Sequence, residues 1–143
     1  MHSTHFPWGP ITGWLVAGET KEDCARRVCL EQTGGKIFDV SDMGMVRFFA
    51  RSQRSEPDRV LHVLTSHRPQ DIFLDKQERR LLRETWEFQW FPVHKLPLRL
   101  MSDEDRYWIS YVLGKRRFEA DFFYQGPYED PEDIIGLNIS IIC

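Results

Sequence analysis

Two stretches of the chain carry helical periodicity, and the rest of its apolar residues gather into short alternating or continuous runs. Thr20 to Thr33 contains no Pro or Gly, opens with a near capping box of Thr20 and Asp23, and stops at Gly34-Gly35, which predicts one helix. Ser102-Asp103-Glu104-Asp105 opens a second helix in the same manner, and Trp108, Ile109, Val112 and Leu113 are expected on one face before Gly114 closes it. Met45 to Ala50 and Val60 to Thr65 are β-branched or aromatic runs separated by the charged stretch Arg51 to Arg59, and read as an antiparallel pair. Asp75 to Glu84 is charged and free of Pro, a short helix or a solvated loop, and Trp86 to Phe91 alternates like a strand ending at Pro92. Phe118 to Tyr124 and Leu137 to Ile142 flank the acidic segment Gly126 to Asp133 and predict a closing hairpin. The order helix, strands, helix, strands indicates an α+β layered domain in which helices cover a sheet.

Composition narrows the class. With 143 residues, 41% of them hydrophobic, the chain is long enough for one sizeable core, so a single domain over residues 1–143 is expected. A net charge of −3 gives no general attraction to polyanions and disfavours a nucleic-acid polymer as partner. No apolar run approaches the roughly 18–20 residues that span a bilayer, and Met1 to His5 lacks the apolar core of a signal peptide. A soluble cytoplasmic protein with no membrane partner is the resulting expectation. Three cysteines, an odd count, argue against a disulfide framework, and Cys24, Cys29 and Cys143 read as small apolar residues.

The chemistry-bearing residues admit two readings each. Arg27 and Glu31 are four apart on the first helix and share a face, with Val28 and Gln32 beside them. They make either an exposed ion pair, with Gly18 and Gly34 as turn and cap, or part of a hard-cation site in which Glu31 is joined by Glu19 or the Gln32 side-chain carbonyl. Glu104 and Asp105 suit the first turn of a helix electrostatically, and equally suit a ligand pocket in which one carboxyl keeps its proton and donates. Trp108 reads as core. Lys115-Arg116-Arg117 reads as a solvated turn after the helix, in preference to a phosphate site.

Taken as a spacing, Gly13, five residues, Glu19, seven residues, then Arg27-Val28-Cys29-Leu30-Glu31-Gln32-Thr33-Gly34 resembles the Nudix box, Gly-x5-Glu-x7-Arg-Glu-U-x-Glu-Glu-x-Gly, where U is bulky and apolar. Further segments, Trp8 to Gly13, Gly18 to Arg27, Trp90 to Pro97, Met101 to Trp108, and Gly114 to Phe118 through Phe123 to Gly126, resemble in order the oxidised purine nucleoside triphosphate diphosphatases of that superfamily, the 8-oxo-dGTPase type. The resemblance implies a Nudix-like α/β/α sandwich with a mixed sheet that lacks the first N-terminal strands, leaving an edge for a second copy or a partner chain to complete. It implies Mg2+ or Mn2+ held around Glu31, Gln32, Glu19 and Gly13, with Glu31 and Arg27 as the catalytic pair. It also implies a nucleotide ligand whose base faces Gly9, Glu104, Asp105 and Trp108.

The chain departs from the family pattern at named positions. Val28 and Gln32 stand where the box has its first and last helix glutamates, Ser102 where a tryptophan stacks on the base, and Gly9 where an asparagine reads it. Glu84 lies one residue off the position of an additional family acid. Two functions are therefore expected: a divergent diphosphatase of oxidised purine nucleoside triphosphates or related nucleoside diphosphate derivatives, which releases monophosphate and pyrophosphate, or an impaired Nudix-like module that binds a nucleotide or a protein.

Overall fold

The computed structural model describes residues 8–50, 56–66, 91–124 and 134–142. It divides into two compact units, one of Met1–Gly9, Asp42–Val63 and Pro97–Cys143, the other of Pro10–Ser41 and Leu64–Leu96.

The first unit is built on a sheet of four strands among the described residues, β1 (Ser41–Phe49), β2 (Arg59–Thr65), β3 (Phe118–Tyr124) and β4 (Ile134–Ile141), in the order β2-β1-β3-β4. β1 and β2 are neighbours as expected, joined by residues 50–58, a connection shorter than the dozen or so residues a parallel return requires. β1 then pairs in parallel with β3, Val46 opposite Ala120, and β3 pairs antiparallel with β4, so the sheet is mixed. β1 begins earlier than its apolar run suggests. At its start Gly44 lies opposite Phe118, and a Cβ on Gly44 would overlap the Phe118 carbonyl oxygen, so only glycine lets the two backbones approach there.

Strict alternation along β3 sends Phe118, Ala120, Phe122 and Tyr124 into the core and leaves Glu119, Asp121 and Phe123 on the other face. On that other face Arg47 meets its register partner Asp121 through two hydrogen bonds, 2.6 and 3.0 Å, a fork that ties β1 to β3.

The second helix, α2 (Asp103–Leu113), lays its apolar stripe on the core face. Ser102 caps it by accepting from the Asp105 amide, and three acids fill its first turn. Trp108 is 3% exposed and stacks on Phe118 at 6.0 Å, with Tyr111 on the same ring at 5.8 Å. Leu113, expected on the buried stripe, is exposed instead, because five residues of α-helix carry it about 140° round from Trp108. Tyr111, three residues from Trp108, is half-buried against the core instead. Lys115, Arg116 and Arg117 form the exposed turn that follows, with Lys115 at φ 57.

The second unit holds the first helix, α1 (Lys21–Thr33), with Thr20 accepting from the Asp23 amide at its start and Gly34 in the left-handed conformation at its end, as its sequence predicts. Cys24 and Cys29 are buried and free. The predicted segment Asp75 to Glu84 and most of the predicted strand Trp86 to Phe91 lie outside the described residues, as does the acidic stretch Gly126 to Asp133.

Candidate functional site

In the second unit the glycine turn and α1 bring the box residues together. Gly18, at φ 83, lets residues 16–19 turn back so that Glu19 reaches Arg27 two helical turns along. Arg27 is the hub. Its Nε and Nη2 donate to the two oxygens of Glu19 at 2.8 and 3.1 Å, its Nη1 donates to Glu31 at 3.2 Å, and its Nη2 donates to the Trp14 carbonyl at 2.8 Å. This bidentate clamp holds the Glu19 carboxyl well below the usual carboxylate range, at about 2, with the Val16 amide assisting against the opposing effect of burial. The same partners raise Arg27 beyond its ordinary value.

The two departures from the box also have structural employment. Val28 is 5% exposed and packs against Gly13 so closely that a Cβ on Gly13 would overlap a Val28 methyl. Gln32 donates its Nε2 to the Thr12 carbonyl at 2.7 Å, an orientation that only an amide provides, since a carboxylate has no hydrogen to offer a carbonyl oxygen. Residues 12–14 are thus pinned to α1 by Gln32, Val28, Arg27 and the Cys24 thiol, which donates to the Trp14 carbonyl at 3.5 Å and whose pKa burial raises.

These residues do not fit the divalent ion of the family pattern. A hard cation wants several oxygen ligands, and here an apolar isopropyl group and an N–H donor occupy two of those positions while a single guanidinium engages both Glu19 and Glu31. Among the described residues no group of three or more His, Cys, Asp or Glu is placed to hold a metal.

The first unit assembles a second cluster around the start of α2. Tyr124, at the end of β3, donates its hydroxyl to Glu104 at 2.7 Å, and burial followed by that bond raises the phenol pKa so that it remains a donor throughout the working pH range. Burial raises the Asp105 pKa, and the charge of Glu104 adds to the shift, while Ser102, Trp108 and Arg59 oppose it. The Trp108 indole N–H is itself buried, makes no full hydrogen bond among the described residues, and is aimed near enough to Asp105 to favour its charged form. Gly9 borders Asp105, since a Cβ there would stand 3.6 Å from Oδ2. Arg59, at the start of β2, places its guanidinium carbon 4.4 Å from the centroid of Phe48, whose ring lies 6.3 Å from that of Tyr124.

Gly9, Glu104, Asp105 and Trp108 are therefore gathered at one end of α2, and Gly13, Glu19, Arg27, Glu31 and Gln32 around the glycine turn of α1. Tyr124 and Arg59 were not identifiable from their spacing. The period-two run through β3 marks Tyr124 as inward-facing, but only the β3–α2 packing brings it to Glu104.

A model of the NUDIX domain matches residues 2–112. The chain belongs to the NUDIX domain family. This Nudix chain is 28% identical over 119 residues to the oxidized purine nucleoside triphosphate hydrolase of Danio rerio, covering 83% of the chain and 70% of that protein. It is 25% identical over 132 residues to the mouse (Mus musculus) protein of the same name, covering 92% and 76%. In fold it is similar to the crystal structure of the mutator MutT protein from Bacillus halodurans, with a TM-score of 0.64, 16% identity, and coverage of 88% of this chain and 77% of that one. The α+β Nudix-like architecture is thereby confirmed, and the chain is by family a Nudix hydrolase.

Proposed function

We propose that this Nudix chain is a catalytically impaired module that binds purine nucleoside phosphates and whose box no longer supports their metal-dependent hydrolysis. The observation that carries this reading is the Gln32 amide donating to the Thr12 carbonyl beside Val28 packed on Gly13. Two positions that would hold anionic metal ligands are instead spent on pinning the glycine turn, so metal-assisted activation of water loses its main support. The purine assignment draws on the names of the zebrafish (Danio rerio) and mouse relatives and on the paired acids Glu104 and Asp105. A carboxyl pair in which burial favours the protonated form of Asp105 offers one donor and further acceptors to the polar edge of a base.

One observation favours a second reading, a divergent diphosphatase of oxidised purine nucleoside triphosphates that releases monophosphate and pyrophosphate. The Glu31 side chain is 59% exposed and is held by the half-buried Arg27, so it retains access to a weakly held Mg2+ or Mn2+. In that reading Glu31 acts as ligand or base, Arg27 orients it, and Glu19, Gln32 and Gly13 assist.

The two readings part on one experiment. Purified protein is titrated with Mg2+ and Mn2+ against oxidised and ordinary purine nucleoside triphosphates, following nucleotide binding by calorimetry and product release by chromatography. Binding without monophosphate supports the binding module. Release of monophosphate and pyrophosphate that depends on metal and disappears in Glu31→Gln supports the diphosphatase. Absence of both binding and turnover overturns the purine assignment. The mass in solution, measured alongside, tests whether a second copy or another chain completes the sheet.

A further inference from the structure

Ser102 leaves this chain without an aromatic side chain at the position where the family pattern stacks the base, and Ser102 is committed to capping α2. The sheet offers a different planar group close by. Arg59 lies with its guanidinium carbon 4.4 Å from the Phe48 ring centroid, inside the distance at which a cation is held by an aromatic face. Phe48 beneath it is 3% exposed and wedged between Phe122 at 5.9 Å and Tyr124 at 6.3 Å, so the ring cannot swing away. Arg59 as a whole is an exposed residue at the start of β2. A guanidinium plane resting on a fixed ring is a platform on which a further flat group can stack.

We propose that Arg59, supported by Phe48, is the base-stacking residue of this chain, carrying a purine ring whose polar edge meets Glu104 and Asp105. Two observations converge on it. Tyr124 touches both halves, packing against Phe48 and donating to Glu104, which places the platform and the acidic pair on one side of the sheet. The charge of Arg59 reaches Asp105 and Tyr124, lowering the pKa of each against the larger effect of burial. The groups that face Asp105 are thus Glu104, Ser102 and Trp108 from α2, Arg59 from β2 and Gly9 from the segment before the glycine turn. Arginine suits such a platform where lysine does not, because only the guanidinium is planar and weakly enough hydrated to be sandwiched.

The inference rests on the purine-binding reading above, and its test separates the two. Arg59→Lys keeps the charge and removes the plane, and Arg59→Gln keeps a small planar amide without charge. Each is compared with the wild-type chain for binding of a purine nucleoside triphosphate, the matching nucleoside without phosphates, and inorganic triphosphate. Arg59→Lys is expected to weaken nucleotide and nucleoside alike by about tenfold, with Arg59→Gln intermediate and inorganic triphosphate unchanged. Loss confined to the phosphorylated ligands overturns the proposal in favour of a phosphate contact, and wild-type affinity in Arg59→Lys overturns it outright. Failure of the wild-type chain to bind nucleotide or nucleoside overturns both this inference and the reading beneath it. Thermal unfolding and the Phe48 ring-current shift on the residue 59 side-chain N–H signals show whether each variant retains the fold.

Discussion

Restoring the two missing acids, Val28→Glu with Gln32→Glu, is expected to make folding depend on divalent metal. Val28 is 5% exposed against Gly13, so replacing it removes most of a buried valine, about 2 kcal/mol. Replacing Gln32 deletes the 2.7 Å bond to the Thr12 carbonyl and turns an oxygen toward an oxygen, about 1 kcal/mol more. The sum, about 3 kcal/mol, corresponds to a melting temperature lower by about 10 °C in a chain of this size when metal is chelated. A cation bound by the new carboxylates, present at about a hundredfold its dissociation constant, returns about 2.7 kcal/mol and hence most of the loss. The assay is thermal unfolding of the double variant and the wild-type chain in chelator and across a Mg2+ series, with turnover of purine nucleoside triphosphates measured in parallel. The variant should melt low in chelator, recover with Mg2+ and gain hydrolysis, while the wild-type melting point stays flat. A double variant as stable as wild type in chelator would refute the claim that Val28 and Gln32 pin the glycine turn. An equal Mg2+ shift in the wild-type chain would refute the claim that its box does not fit the ion.

Three other outcomes are expected. Arg27→Gln should remove an acid-sensitive contribution to stability: Glu19 is held at about 2 against 4.5 by Arg27, so that contribution is complete above pH 4.5 and disappears as pH falls through about 2. Urea unfolding at pH 6 and pH 3 should show the variant closing on wild type as pH falls, and a constant gap would count against the clamp. Asp105→Asn should stabilise the chain at pH 8, because burial makes the ionised carboxylate unfavourable; the gain should shrink as pH drops through the raised Asp105 pKa and the native acid takes up its proton. Melting temperatures of both proteins across pH 4–8 test that sign. Gly44→Ala should cost about 3 kcal/mol in chemical denaturation, since its methyl group would overlap the Phe118 carbonyl across the β1–β3 pair, and a neutral effect would mean the strands part there without penalty.

What could be read from the residues was whatever is encoded locally. Both helices announce themselves through caps, Thr20 with Gly34 and Ser102 with Gly114, because capping involves only residues three or four apart. The inward side of β3 follows from strict alternation. Ser41, Asp42 and Gly44 are poor strand formers by themselves, and they join β1 because β3 lies alongside. The box spacing located the residues around Arg27, and the family match supports the ancestry that spacing suggested. How Gln32 and Val28 are employed was not legible, since it depends on the path by which residues 12–14 return to α1. Arg59 and Tyr124 were invisible for a related reason: they reach the acidic pair from strands distant in the chain.

The parallel pairing of β1 with β3 bears on how this chain folds and how it tolerates change. Arg47 and Asp121 are 74 positions apart, so bringing them together closes a long loop at an entropic cost of about 4 kcal/mol. That closure must precede any reward from the sheet centre, and the shorter β3–β4 hairpin is expected to form ahead of it. Because loop entropy grows only with the logarithm of length, doubling the connecting chain would add about 0.6 kcal/mol. Insertions and deletions between the two central strands are therefore inexpensive for the fold, while the Arg47–Asp121 fork continues to fix the register.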